Sequence, residues 1–171
     1  MPLLKNNEFV PDPFVAVADD ANLPPYGKVL IPASRLHTAL ATPLEIGIRL
    51  ANTDREESLT PHFTRISLIV LPFPSFGDGR SYSIARQLRL DGYRGELRAE
   101  GNVLPDQLQY MRQVGFDSFN VTDRFPLAMW QAAFHQMSLA YQRGFYRDHE
   151  VDVWSTRHRG INSSEKPSHV D

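Results

Sequence analysis

The residues with the most chemical potential lie in one short stretch, Gly77-Asp78-Gly79-Arg80-Ser81. Two glycines permit positive φ and a close backbone approach. The helix expected behind them would point free N–H groups and a partial positive charge into the same space. Arg80, Ser81 and Ser83 add donors, so the stretch suits a small anion or part of a cofactor. The same residues also make an ordinary strand-to-helix turn, with Asp78 or Ser81 as the cap.

Glu100, Asn102 and Asp106 follow at the end of the next expected strand and the start of the next helix. If the two strands are neighbours, these groups face the glycine loop across one rim, where paired carboxylates could do acid–base work. The plainer reading makes Asn102 a turn cap and Asp106 a partner of the helix dipole. Asn120, Asp123 and Arg124 complete the rim by position. No catalytic residue and no specific cofactor can be assigned.

The loop half-matches a dinucleotide fingerprint. Gly77 and Gly79 fit its first two glycines, and Glu100 stands near the place of the ribose-binding acid. Tyr82, however, occupies the third glycine position, where close helix–strand packing is needed. The six histidines, His37, His62, His135, His149, His158 and His169, form no compact ligand set, so no metal site is expected.

The elements that must position these groups alternate. Val29-Leu30-Ile31 and Leu44 to Leu50 read as strands, separated by a helix from a Ser34 cap to Leu40 that Pro43 stops. Ile66 to Leu71 is apolar at nearly every position, as in a parallel strand covered on both faces. A helix over Ser81–Leu90 should end on Asp91-Gly92. Glu96 to Glu100 alternates polar and apolar and reads as a half-exposed strand. A helix from Leu104 to Val114 and a fifth strand, Asp117 to Val121, follow. A last helix should run from Pro126 to Tyr141. Its stripe of Met129, Trp130, Ala133, Phe134, Met137 and Tyr141 fits core packing, with a homodimer face as the other reading.

The expectation is therefore an α/β fold of about five mainly parallel strands alternating with helices, either doubly wound or half-barrel-like. Proline-rich residues 1–28 should form an irregular N-terminal β arm, in which Phe14 to Val17 could be a strand. Residues 1–154 should make a single domain. Val151 to Trp154 could pack back on it, and 155–171 should be a disordered tail.

Bulk composition excludes more than it assigns. A chain of 171 residues is one ordinary domain, and a formal net charge of −2 leaves no electrostatic footprint for nucleic acid. There are no cysteines, hence no thiol nucleophile and no Cys-ligated zinc or iron–sulfur centre. The lack of a signal peptide or a membrane-length apolar run points to a soluble, cytoplasmic protein.

The block Phe73 to Gly101, FPSFGDGRSYSIARQLRLDGYRGELRAEG, resembles a bacterial family of unknown biochemical function tied to assimilatory sulfite reduction. Its members read FPxFxDGRxYSxARxLR, then GYxGELRAxGxVLxDQL, then GFDxF. These pieces stand here at Phe73 to Arg89, Gly92 to Leu108 and Gly115 to Phe119. Val29 to Leu36 and Ala140-Tyr141-Gln142 are also similar. Gly77 stands where threonine is frequent, and Pro105 where arginine is. The resemblance implies an accessory protein or oxidoreductase of sulfite reduction, with a sulfite reductase subunit as partner. Two alternatives remain: a non-catalytic interaction module supporting a reductase complex, using the Trp130–Tyr141 helix or the arm, and a nicotinamide- or flavin-binding oxidoreductase.

Overall fold

The computed structural model describes residues 1–51, 53–75, 77–135, 139–140 and 151–152. The strongest sequence signals become the centre of the fold. The apolar run becomes β6 (Ile66–Phe73), flanked by β4 (Lys28–Pro32) and β5 (Glu45–Arg49) on one side and by β7 (Glu96–Gly101) and β8 (Ser118–Asn120) on the other. These five strands are parallel and lie in chain order, with register pairs such as Ile48↔Ile69 and Leu71↔Ala99. Right-handed crossovers between strands laid in order place every helix on the same side. Those helices are α1 (Leu36–Leu40), α2 (Arg80–Leu90), α3 (Leu108–Val114) and α4 (Leu127–His135). The sheet curls accordingly into a half-barrel, without the reversal of strand order that a doubly wound sheet requires.

The expected count of about five strands is corrected to eight in this sheet. The additional three come from the arm: β1 (Leu3–Lys5), β2 (Glu8–Val10) and β3 (Val15–Ala16). β1 runs antiparallel to β8, with Leu4 opposite Phe119, and turns back into β2 through Asn6-Asn7. Both asparagines have positive φ, +51° and +68°, the backbone of a two-residue hairpin turn. β3 lies parallel to β4 at the opposite edge. Strands of two or three residues fall below what a periodicity reading can detect.

Alternation sorts the side chains. Ile46, Ile48, Ile69, Leu71, Phe73, Leu97, Ala99 and Phe119 face the helices and are buried with Leu88, Leu108, Met111 and Trp130. On the other side of the sheet, Leu30, Leu68 and Val70 form a small cluster closed by Phe14 of the arm.

The helix ends are well specified. After α2, Gly92 N–H donates to Arg89 O (3.1 Å) and Tyr93 N–H to Leu88 O (2.9 Å), a paired closure at a glycine with φ +95°. Gly115 ends α3 in the same way at φ +115°, and a Cβ there would lie 2.6 Å from the Arg89 side chain. Arg89 fills that space. It donates to the carbonyls of Gly115, Tyr93 and Gly95 and to the Asp117 carboxylate, tying α2, α3 and the start of β7 together.

Several local expectations shift. The helix before Pro43 begins as a 3₁₀ turn, Ala33–Arg35, with no side-chain cap from Ser34. The Leu104–Val114 helix likewise begins as a 3₁₀ turn, Pro105–Gln107. Leu139–Ala140 is a strand, β9, paired in parallel with β10 (Val151–Asp152), so the helix expected up to Tyr141 ends earlier. The expected tail, 155–171, lies outside the described residues. Among the described residues no helix is long and apolar enough to cross a membrane.

Candidate functional site

The glycine loop sits at the carboxyl end of β6, where ligands of barrel-like parallel sheets are usually held. Its charges are organised locally. Asp78 Oδ1 accepts the Arg80 backbone N–H (3.2 Å) and Arg80 Nε (3.0 Å), while Oδ2 accepts Nη2 (2.7 Å). One carboxylate therefore takes the first backbone N–H of α2 and grips the first guanidinium of the helix. The hydrogen bond that Arg80 donates to Asp78, then the Asp78 charge, raises the Arg80 pKa above its ordinary value. The Arg80 side chain is still 60% exposed, against 12% for Asp78. Neither Gly77 nor Gly79 has a positive φ, and a Cβ on either would meet open space. The conformational freedom expected of these two glycines is not used in this structure.

The loop is locked from beneath. Ser81 is buried, and its Oγ donates to Pro72 O (2.6 Å), joining the first turn of α2 to β6. Asn102 donates its backbone N–H to Phe73 O (2.8 Å) and its Nδ2 to Pro74 O (2.7 Å), joining the end of β7 to the loop. The approach that permits this needs Gly101. It has φ +117°, and a Cβ there would lie 2.5 Å from Phe73 O. Tyr82 packs edge-on against Phe73 and tilted against Tyr110, with ring centroids 5.1 Å apart in each pair. Burial, then the neighbouring Tyr110 and Asp106, pushes the Tyr82 phenol up. Asp106 stands in the 3₁₀ turn that opens α3.

Glu100 belongs elsewhere. It points to the side of the sheet without helices, where its Oε2 accepts Arg49 Nη2 (3.1 Å) from β5 and Asn120 Nδ2 (3.2 Å) from β8. The expected single rim is thus divided: Asp78, Arg80, Ser81 and Asn102 are tied to the loop, Glu100 meets Arg49 and Asn120 on the inner face, and among the described residues Asp106 makes no hydrogen bond to either group. Glu100 is held by Arg49 and Asn120, and Tyr82 fills the third glycine position of the fingerprint with a ring.

The inner face also carries residues that the sequence reading missed. Arg98 is fully buried, and its guanidinium donates to Glu96 Oε1 through Nε (3.2 Å) and Nη2 (2.9 Å) and to Asp12 Oδ2 through Nη1 (2.8 Å). Ser118 Oγ also donates to Glu96 Oε1 (2.6 Å), and Lys5 pairs with Glu96 Oε2. Burial pushes the Glu96 carboxyl up. The hydrogen bond from Lys5, then those from Ser118 and Arg98 with the Arg98 charge, outweighs it and holds the group below its ordinary value. Lys28 Nζ and the Arg98 guanidinium each lie 5.7 Å from the centroid of the Phe14 ring. The signal was present in the strand read as half-exposed. Its polar positions, Glu96, Arg98 and Glu100, share the parity of Ser118 and Asn120, and residues of the arm pair with the first two.

Other candidates separate. His37 and His62 meet edge-on with centroids 5.8 Å apart. Among the described residues no group of three or more His, Asp or Glu could hold a metal ion. In the helical stripe, Trp130 is wholly buried and Ala133 nearly so, which makes that face of α4 core, while Met129 is exposed. Met137 and Tyr141, with His149, His158 and His169, lie outside the described residues.

No curated protein matches the chain. A family model does match over residues 47–151, which take in the loop, both carboxyl-edge groups and the strands between them. The chain belongs to this family, the bacterial proteins of unknown function DUF934.

Proposed function

We propose that the chain is an accessory protein of assimilatory sulfite reduction that binds a small anion at the Gly77–Arg80 loop and works beside the reductase. The biology comes from the likeness of residues 73–119 to proteins tied to that process. The chemistry rests on one observation: Ser81, Gly101 and Asn102, of which Gly101 belongs to the shared motif, tie the loop to the ends of β6 and β7. A rigidly held loop presenting an exposed guanidinium suits recognition of an oxyanion, because little ordering is left to be done on binding. With no cysteine in these 171 residues, a Cys-ligated iron–sulfur centre would belong to the reductase.

The test is growth on sulfate as sole sulfur source in a bacterium that depends on this protein. Arg80→Ala should abolish complementation while leaving thermal unfolding unchanged, since the side chain is exposed and its pairing is local. Asp78→Ala should also fail to complement, with a stability loss of about 1 kcal/mol for the missing hydrogen bond to the first N–H of α2. Full growth with both variants would remove the loop from the function.

A further inference from the structure

We infer that the inner face carries a second ligand site, in which Arg49, Glu100 and Asn120 take the head group of a small α-amino acid. Three parallel strands deliver these side chains to the carboxyl edge, on the opposite side of the sheet from the helices. Asn120 is only 9% exposed, and its Nδ2 is committed to Glu100. Among the described residues no donor reaches its Oδ1, although that oxygen is buried. A buried carboxamide oxygen calls for an N–H or O–H donor.

The neighbouring charges say which kind of donor. Arg49 touches Glu100 through one nitrogen and one oxygen only, and the two side chains are 45% and 25% exposed. They are open to solvent, unlike the Arg98 cluster one row deeper, where the guanidinium is wholly buried. The pair has no net charge. A simple anion on Arg49 would meet the Glu100 carboxylate, and a simple cation on Glu100 would meet the guanidinium. A ligand with both charges on adjacent atoms satisfies both groups. Its carboxylate takes the forked donors of Arg49, and its ammonium donates to Glu100 and to Asn120 Oδ1. The two residues hold each other. Their register neighbours are apolar, Val70 beside Arg49, Pro72 beside Glu100 and Leu3 beside Asn120, which favours a short, uncharged side chain on the ligand. This site is independent of the loop and of the role proposed for it.

Thermal shift and isothermal titration calorimetry on the full chain test it with glycine, L-alanine, L-serine and L-valine. N-acetyl-L-alanine, L-alaninamide and sulfate serve as blocked or singly charged controls. At least one free amino acid should bind saturably, and blocking either end of alanine should weaken binding tenfold or more. Asn120→Ala should weaken binding at least tenfold, and Arg49→Gln should abolish it. Arg49 is half-exposed, so this variant keeps the test valid if Asn120→Ala does not fold. The inference is overturned if none of the four binds. It is equally overturned if the blocked forms or sulfate bind as well as the free amino acids, or if Arg49→Gln binds normally.

Discussion

Two arginines on the same side of the sheet show how burial decides what a charge is worth. Arg98 is wholly buried and meets Glu96, Ser118 and Asp12. Replacing it by methionine keeps most of the volume but leaves Asp12 and much of Glu96 without their cation. Breaking a buried pair from one side costs about 3–5 kcal/mol. The Arg98→Met loss should fall near the lower end, roughly 3 kcal/mol, because Lys5 and Ser118 still serve Glu96. Arg49 makes one ion pair at a half-exposed position, so Arg49→Ala should cost under about 1 kcal/mol. Urea denaturation of both variants checks the contrast, and equal losses would contradict it. The difference was not legible in sequence, where both read as strand arginines. Asp78 and Ser81 were legible as caps or ties, because the contacts they make are local. Arg49, Asp12 and Lys5 were not, because their partners lie 51, 86 and 91 residues away in the chain.

The elements that carried strong periodicity, β6 and α2, were legible almost to their ends, and so was the glycine closure of α2. The strand β7 was found but its environment was misread. Alternation of polar and apolar residues in a parallel strand usually marks a water-facing side, and here Glu96 and Arg98 on that side pair with the N-terminal arm instead. The arm could not be placed from sequence, since its strands hold two or three residues each and pair with distant edges. It is bound by more than strand pairing. Phe14 packs on Leu30, Leu68 and Val70, and a Cβ at Gly47 would lie only 3.1 Å from its ring. Phe14→Ala should therefore cost about 2–3 kcal/mol, somewhat below a fully buried phenylalanine because the side chain is half-buried. It should also speed amide exchange in β3 and β4 ahead of the rest of the sheet. Uniform exchange across the sheet in this variant would mean that the arm is not a separate unit resting on the inner face.

The choice between a doubly wound sheet and a half-barrel is a property of the whole chain, and both produce a buried apolar β6. The discriminating pattern was distributed: Arg49, Glu96, Arg98, Glu100, Ser118 and Asn120 share, through the strand register, a side of the sheet that no helix covers. That side is held together around Glu96, which links β1 through Lys5, β8 through Ser118 and, through Arg98, the arm at Asp12. The consequence is a pH dependence of the fold. The Glu96 carboxyl lies below its ordinary value in the folded protein, so the folded state favours its ionised form. A group of this kind contributes stability that is complete above its unfolded pKa and is lost as the pH falls through the lower, folded one. Urea midpoints of the native protein and of Glu96→Gln should differ most at neutral pH, and the gap should stay constant down to about pH 5. It should then close steadily through the acid range as the native carboxylate is protonated. A gap that persisted unchanged at pH 3 would show that the carboxylate contributes through shape alone, and that the charges of Lys5 and Arg98 do not hold the inner face together.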